Sequence, residues 1–200
     1  MKSWIITGGV ATGKSSFGQT LVELTGHEIY VFSCDDEAKR LWGVPEVISE
    51  IGSVLGDRVK NQQGTLDRDL IRQVVFSEPV ARKALEGVLH PRILGALEIK
   101  RAEAEGRKAK VFLAEVPLYY EIRGSIMADS VIVVAASRTV QVNRLMVRRN
   151  LDAATAENLL KAQLSLDVKI DKADWVVWNE GTESMLKAQA STIIRAHLEN

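Results

Sequence analysis

The sequence predicts an α/β fold in which a five-stranded parallel sheet is flanked by helices and carries a helical insert and a helical lid. Three observations predict it. Five short apolar runs alternate with stretches whose apolar residues recur at helical spacing, the signature of a parallel sheet. The stretch Gly8-Gly9-Val10-Ala11-Thr12-Gly13-Lys14-Ser15 joins the first apolar run to the first helical one. Between the second and third runs, about sixty residues carry helical spacing alone, which adds a structure over the edge of the sheet.

Bulk properties bound the function. Two hundred residues with 46% hydrophobic content are enough for one domain. We expect a core over 1–35, 108–136 and 173–200, an insert over about 45–107 and a lid over about 138–172. Lysine plus arginine and aspartate plus glutamate both number 26, so no global field recruits nucleic acid or an anionic membrane. A charged substrate must be held by a local cluster, which favours small-molecule partners. The lone Cys34 excludes an internal disulfide and a cysteine zinc cluster. With no signal-peptide pattern at Met1-Lys2-Ser3-Trp4 and no apolar run of membrane-spanning length, a soluble cytoplasmic protein is expected.

In chain order, Trp4-Ile5-Ile6 reads as a buried strand, and Phe17, Leu21 and Leu24 give the stretch 16–24 helical spacing. The glycines between them fit G-x-x-x-x-G-K-[ST] in the strand-to-helix context where that pattern cradles phosphate. Gly8 and Gly13 permit backbone angles that turn N–H groups toward one anion at a helix N-terminus. Lys14 is expected to reach the β- and γ-phosphates, and Ser15 to ligate Mg²⁺. The second strand, 28–32, ends at Ser33-Cys34-Asp35-Asp36, where a carboxylate meets the crevice beyond the strand ends. Either aspartate can instead cap a helix over 37–42.

The helical region from 45 to 106 holds a turn at Asn61-Gln62-Gln63-Gly64 and a helix start capped by Thr65 or Asp67. Pro91 is expected to break or restart the helix and hold His90 at the joint, where a structural role is the commoner one for histidine. The third strand, within 110–118, ends at Pro117 with Glu115 placed to assist the metal, and the fourth spans 131–136. Arg144 and Arg148 share one face of a helix over 138–149, with Arg138 and Arg149 near, an anion-binding pattern. A second helix over 153–164 completes a flap hinged at 150–152. A fifth strand over 174–178 and a closing helix over 182–198, carrying His197 as an inert tail residue, end the chain.

The ordered motifs resemble the dephospho-coenzyme A kinases, a family with the P-loop NTPase fold. The resemblance rests on Thr7 to Ser15, on Asp35, and on Gly64-Thr65-Leu66-Asp67-Arg68 with Val75-Phe76 and Leu89-His90-Pro91. It continues in Val116-Pro117-Leu118-Tyr119-Tyr120-Glu121 and in Gln163-Leu164, Lys169, Ala173-Asp174, Asn179 and Gly181. The sequence departs from the family pattern at Ser33 and Trp178, where aspartate is usual, and at Glu115, often aspartate. The resemblance implies transfer of the γ-phosphate of ATP to the ribose 3′-hydroxyl of dephospho-CoA, with Mg²⁺ as cofactor. It implies Asp35 as general base, Lys14 and Arg148 as its catalytic partners, and Gly8, Gly9, Ala11, Thr12, Gly13, Ser15, Ser16, Arg144, Asn179 and Gly181 around ATP. Thr7, Asp35, Arg68, His90, Pro117 and Leu118 fall to the acceptor, and Ser15, with Glu115 acting through water, to the metal. The cradle alone is also compatible with a nucleotide or shikimate kinase, or with a nucleotide-binding module that transfers nothing. A guanine-reading Asn-Lys-x-Asp loop is absent after the apolar strands.

Overall fold

The computed structural model describes residues 1–26, 28–122 and 126–198. The strands are β1 (Lys2–Gly8), β2 (Ile29–Ser33), β3 (Val111–Glu115), β4 (Ser130–Ala135) and β5 (Trp175–Trp178). All pair in parallel, in the order β2-β3-β1-β4-β5. The chain leaves β1 for the edge at β2, returns to β3, then crosses to β4 on the other side. That reversal makes β1 the switch point, beside which ligands of open α/β sheets bind.

Two compact units form, Met1–Ser33 with Arg101–Asn200, and Cys34–Lys100. The first holds the sheet, α1 (Lys14–Thr25), α6 (Arg138–Arg149), α7 (Ala153–Lys161), α8 (Leu166–Asp171) and α9 (Glu183–Leu198). The second holds α2 (Cys34–Leu41), α3 (Pro45–Leu55), a 3-10 turn (Asp57–Val59) and α4 (Arg68–Ser77); α5 (Pro79–Gly106) begins in it and ends in the first.

Alternation along β1 sends Trp4 and Ile6 to one face, where they meet Phe17 and Leu21 of α1 and Leu186, Ala190 and Ile193 of α9. All are buried, and each large side chain contributes roughly 1.5–3 kcal/mol. β3 and β4 are buried at every position, as strands covered on both faces must be. The second unit packs its own core of Val47, Ile51, Leu55, Val59, Ile71 and Val88. Local chemistry sets the helix starts: Asp67, Ser137, Asp152 and Ser165 each accept a backbone N–H from the first turn they precede.

Four expectations are corrected. Pro91 does not break its helix: α5 runs unbroken for 28 residues and His90 lies within it. The lost backbone bond costs about 3 kcal/mol, offset by burial of Val88 and Leu97 on the same helix. Arg92 Nη1 also donates to the Val88 carbonyl at 2.7 Å. Asp35 and Asp36 do not precede a helix over 37–42 but lie in the first turn of α2, where the positive end of the dipole favours carboxylates. The expected helix over 153–164 is two: α7 stops at Lys161, and Ser165 caps the separate α8. His197 is no loose tail, because its ring packs 5.1 Å from Trp4 and 5.6 Å from Trp175.

Candidate active site

The turn between β1 and α1 is shaped by glycine. Gly8 has φ 143°, and a Cβ there would stand 2.2 Å from the Val134 carbonyl oxygen. Gly13, at φ 92°, would bring a Cβ to 2.1 Å from Asn179 Nδ2. Ala11 adopts the left-handed region at φ 59° without that freedom. The result is a loop that curls back on itself and ends at the positive end of α1.

Its carbonyls are held by side-chain donors. Lys14 Nζ and Thr12 Oγ1 both donate to the Gly9 carbonyl, at 2.8 and 3.0 Å. Arg144 on α6 donates Nη1 to the Ala11 and Thr12 carbonyls at 3.2 Å each, and Nη2 to Asn179 O at 2.7 Å. Asn179 Nδ2 donates to Thr12 O at 2.9 Å, and Gln163 Oε1 accepts from Val10 N–H at 3.0 Å. Carbonyls engaged in this way do not oppose an anion in the cradle.

At the mouth of the loop, Ser15 Oγ donates to Glu115 Oε1 at 2.9 Å. Glu115 ends β3, in register with Ile6 of β1 and Ser33 of β2, and is 8% exposed. Among the described residues no group of three or more His, Cys, Asp or Glu could hold a metal. One hydroxyl beside one carboxylate instead fits Mg²⁺, which takes few protein ligands and completes its shell with water and phosphate.

A cavity of about 440 Å³ opens beside the loop, lined by Gly13, Ser16, Arg144, Arg148, Asn179 and Gly181 among others. Arg148 is exposed, whereas Arg144 is half-buried. Burial lowers the Arg144 pKa, the neighbouring Arg148 lowers it further, and Glu180 opposes both. Arg138, the outlying member of the arginine cluster, pairs with Glu157. Across the strand ends, Thr7 Oγ1 donates to the Pro117 carbonyl at 3.2 Å, and Pro117 and Leu118 are half-buried.

The first unit thus gathers the loop with Ser15, Ser16, Glu115, Arg144, Arg148, Asn179 and Gly181, and with Thr7, Pro117 and Leu118. Asp35, Arg68 and His90 belong to the second unit. Asp35 is exposed, Arg68 lies 5.4 Å over the Trp42 ring, and His90 is half-buried in α5. Residue-by-residue reading gave no site role to Gln141, Gln163 or Lys169. Gln141 is buried on α6 and donates to Ala136 O at 2.8 Å. No spacing rule assigns a contact to Gln163 or Lys169, because their partners are distant in sequence.

A phosphate-binding loop at the switch point of a β2-β3-β1-β4-β5 sheet, with a serine–glutamate pair at its mouth, defines a P-loop nucleotide-binding fold. The dephospho-CoA kinase family profile matches residues 4–184. A dephospho-CoA kinase from Anaeromyxobacter dehalogenans is 35% identical over 189 residues, covering 94% of this chain and 89% of that one. One from Fusobacterium nucleatum is 32% identical over 87% of each chain. A crystal structure of TT1252 from Thermus thermophilus superposes with TM-score 0.84 at 28% identity, covering 98% of this chain and 97% of that one. The chain belongs to the dephospho-CoA kinase family and is a kinase. Shikimate kinase from Acinetobacter baumannii, at TM-score 0.50 and 19% identity over 100% of this chain and 94% of that one, shares the fold alone. Among the described residues, no helix is long and apolar enough to cross a membrane.

Proposed function

We propose that this chain transfers the γ-phosphate of ATP to the ribose 3′-hydroxyl of dephospho-CoA, giving coenzyme A and ADP in the cytoplasm. The observation that carries this choice of acceptor is the family match across residues 4–184, since the cradle by itself specifies only a nucleotide.

The P-loop amides and Lys14 hold the β- and γ-phosphates, with Gly8, Gly9, Ala11, Thr12, Gly13 and Ser16 forming the wall around them. Supporting this, the loop's carbonyls are engaged by Lys14, Thr12, Arg144 and Asn179. Ser15 and Glu115 are the groups that would hold Mg²⁺, given their 2.9 Å contact. That ion would neutralise charge on the donor phosphates. Asp35, two residues beyond β2, orients the attacking hydroxyl and takes its proton as the new P–O bond forms and the bond to the ADP leaving oxygen breaks. Arg148, exposed beside the cavity, supplies the mobile cation on the migrating phosphoryl group. Arg144, spent on three carbonyls, keeps the loop in shape. Gly181 and Asn179 border the nucleoside. Thr7, Pro117 and Leu118, with Arg68 and His90, receive the acceptor, whose pyrophosphate requires cationic partners.

The test is product mass. Purified protein with ATP and Mg²⁺ is offered dephospho-CoA, shikimate and nucleoside monophosphates in parallel. Coenzyme A from the first alone is expected; phosphorylation of another acceptor in preference would overturn the assignment.

A further inference from the structure

Lys169, on α8, is fully buried and outside the mechanism above. Its Nζ lies 2.8 Å from Glu121 Oε1, 3.2 Å from the Pro117 carbonyl oxygen and 3.5 Å from the Gly8 carbonyl oxygen. An ammonium has three N–H groups, and these three acceptors account for them. Two of the three are backbone positions that matter to the reaction. Gly8 opens the phosphate loop, and the Pro117 carbonyl, just past β3, also receives the Thr7 hydroxyl.

The surroundings give Lys169 a fixed geometry. Glu121 Oε1 is shared with the Leu164 N–H at 3.1 Å, and its Oε2 is buried with no hydrogen-bond partner among the described residues. The Tyr120 hydroxyl donates to the Lys172 carbonyl at 2.9 Å, so the segment after β3 is tied to α8 at a second point. A buried cation is tolerated only when paired, and a helix that needed mere packing would be served by an apolar residue of similar volume. The acceptors chosen join three separate stretches of chain at one nitrogen atom.

We propose that Lys169 is a positioning residue that fixes the Gly8 carbonyl against the Pro117 carbonyl. It thereby holds the cradle for the donor phosphates and the β3 exit that faces the acceptor at their working separation. It touches no reacting atom. Its influence runs through the backbone of the loop, so it acts on nucleotide affinity as well as on turnover. This deepens the kinase reading and rests on it.

The experiment compares wild type, the charge-neutral double variant Lys169→Met with Glu121→Gln, and Lys169→Arg. ADP affinity is measured by calorimetry without acceptor, kcat and both KM values by coupled assay, and folding by circular dichroism. The folded double variant is expected to lose about tenfold or more in both ADP affinity and kcat, because a misplacement near 1 Å has costs of that order or larger. Lys169→Arg, which keeps the cation and its donors, is expected to recover most of that loss. A folded double variant within about twofold of wild type in affinity and turnover overturns the proposal. If the double variant does not fold, Lys169→Arg decides: ADP affinity within about fivefold of wild type supports the proposal and a larger loss overturns it. Because ADP binding needs no acceptor, a wild type that makes no coenzyme A would sink the assigned reaction and leave this comparison intact.

Discussion

Ser15 Oγ stands 2.9 Å from Glu115 Oε1, which ties the first turn of α1 to the last residue of β3 across the switch point of the sheet. In the proposed reaction this hydroxyl, with the carboxylate acting through water, would hold Mg²⁺. Glu115→Gln keeps the shape and removes the charge. It should raise the Mg²⁺ concentration for half-maximal activity by about tenfold or more, as loss of a supporting ligand does. Titration of activity against Mg²⁺ reads this, and an unchanged midpoint would remove Glu115 from the metal.

Lys14→Ala should lower kcat by at least about a hundredfold, the size of effect seen when one charge-stabilising donor is removed. The fold should survive, since the Gly9 carbonyl keeps its bond from Thr12. Steady-state kinetics with a matched circular dichroism spectrum make the check; near-normal turnover would take Lys14 out of the site.

Gly13→Ala tests whether the loop's curl is obligatory. The added Cβ meets Asn179 Nδ2 at 2.1 Å and adopts φ 92°, a strain of about 1–3 kcal/mol. A Tm lower by roughly 6 °C, with ADP binding lost, is expected for a chain of this size. A variant that melts and binds like wild type would show that the loop relaxes freely.

His197 contributes to sensitivity to acid. Burial lowers its pKa below the ordinary 6.5, Lys2 adds to the effect and Asp174 opposes it, so the folded state prefers the neutral ring between Trp4 and Trp175. The unfolded chain binds a proton first, and the stability held above pH 6.5 is lost as pH falls from there through the folded value. Denaturant melts of wild type and His197→Phe should diverge over that window, the variant being the less pH-sensitive. Parallel curves would exclude His197 as the titrating group.

How far the sequence was legible follows from where each constraint lies. The β1–loop–α1 unit could be read because phosphate geometry dictates glycine and lysine at fixed local offsets, and Glu115 because a strand end has a predictable place. Pro91 could not, since the local rule against proline was outweighed by burial of Val88 and Leu97 on the same helix. Arg144 was legible as a cation near the loop but not as a donor to the Ala11, Thr12 and Asn179 carbonyls. Lys169 was opaque to spacing for a similar reason, because its acceptors sit at Gly8, Pro117 and Glu121, far along the chain.

In the proposed reaction Asp35 takes the proton from the dephospho-CoA hydroxyl as it is phosphorylated. Single-turnover formation of coenzyme A, followed by mass in wild type and Asp35→Asn with saturating ATP and Mg²⁺, tests it most directly. Coenzyme A is expected from wild type, at a rate at least about a hundredfold lower in the variant, with ATP still bound. Equal rates in the two proteins would contradict the base, and no coenzyme A from either would contradict the reaction.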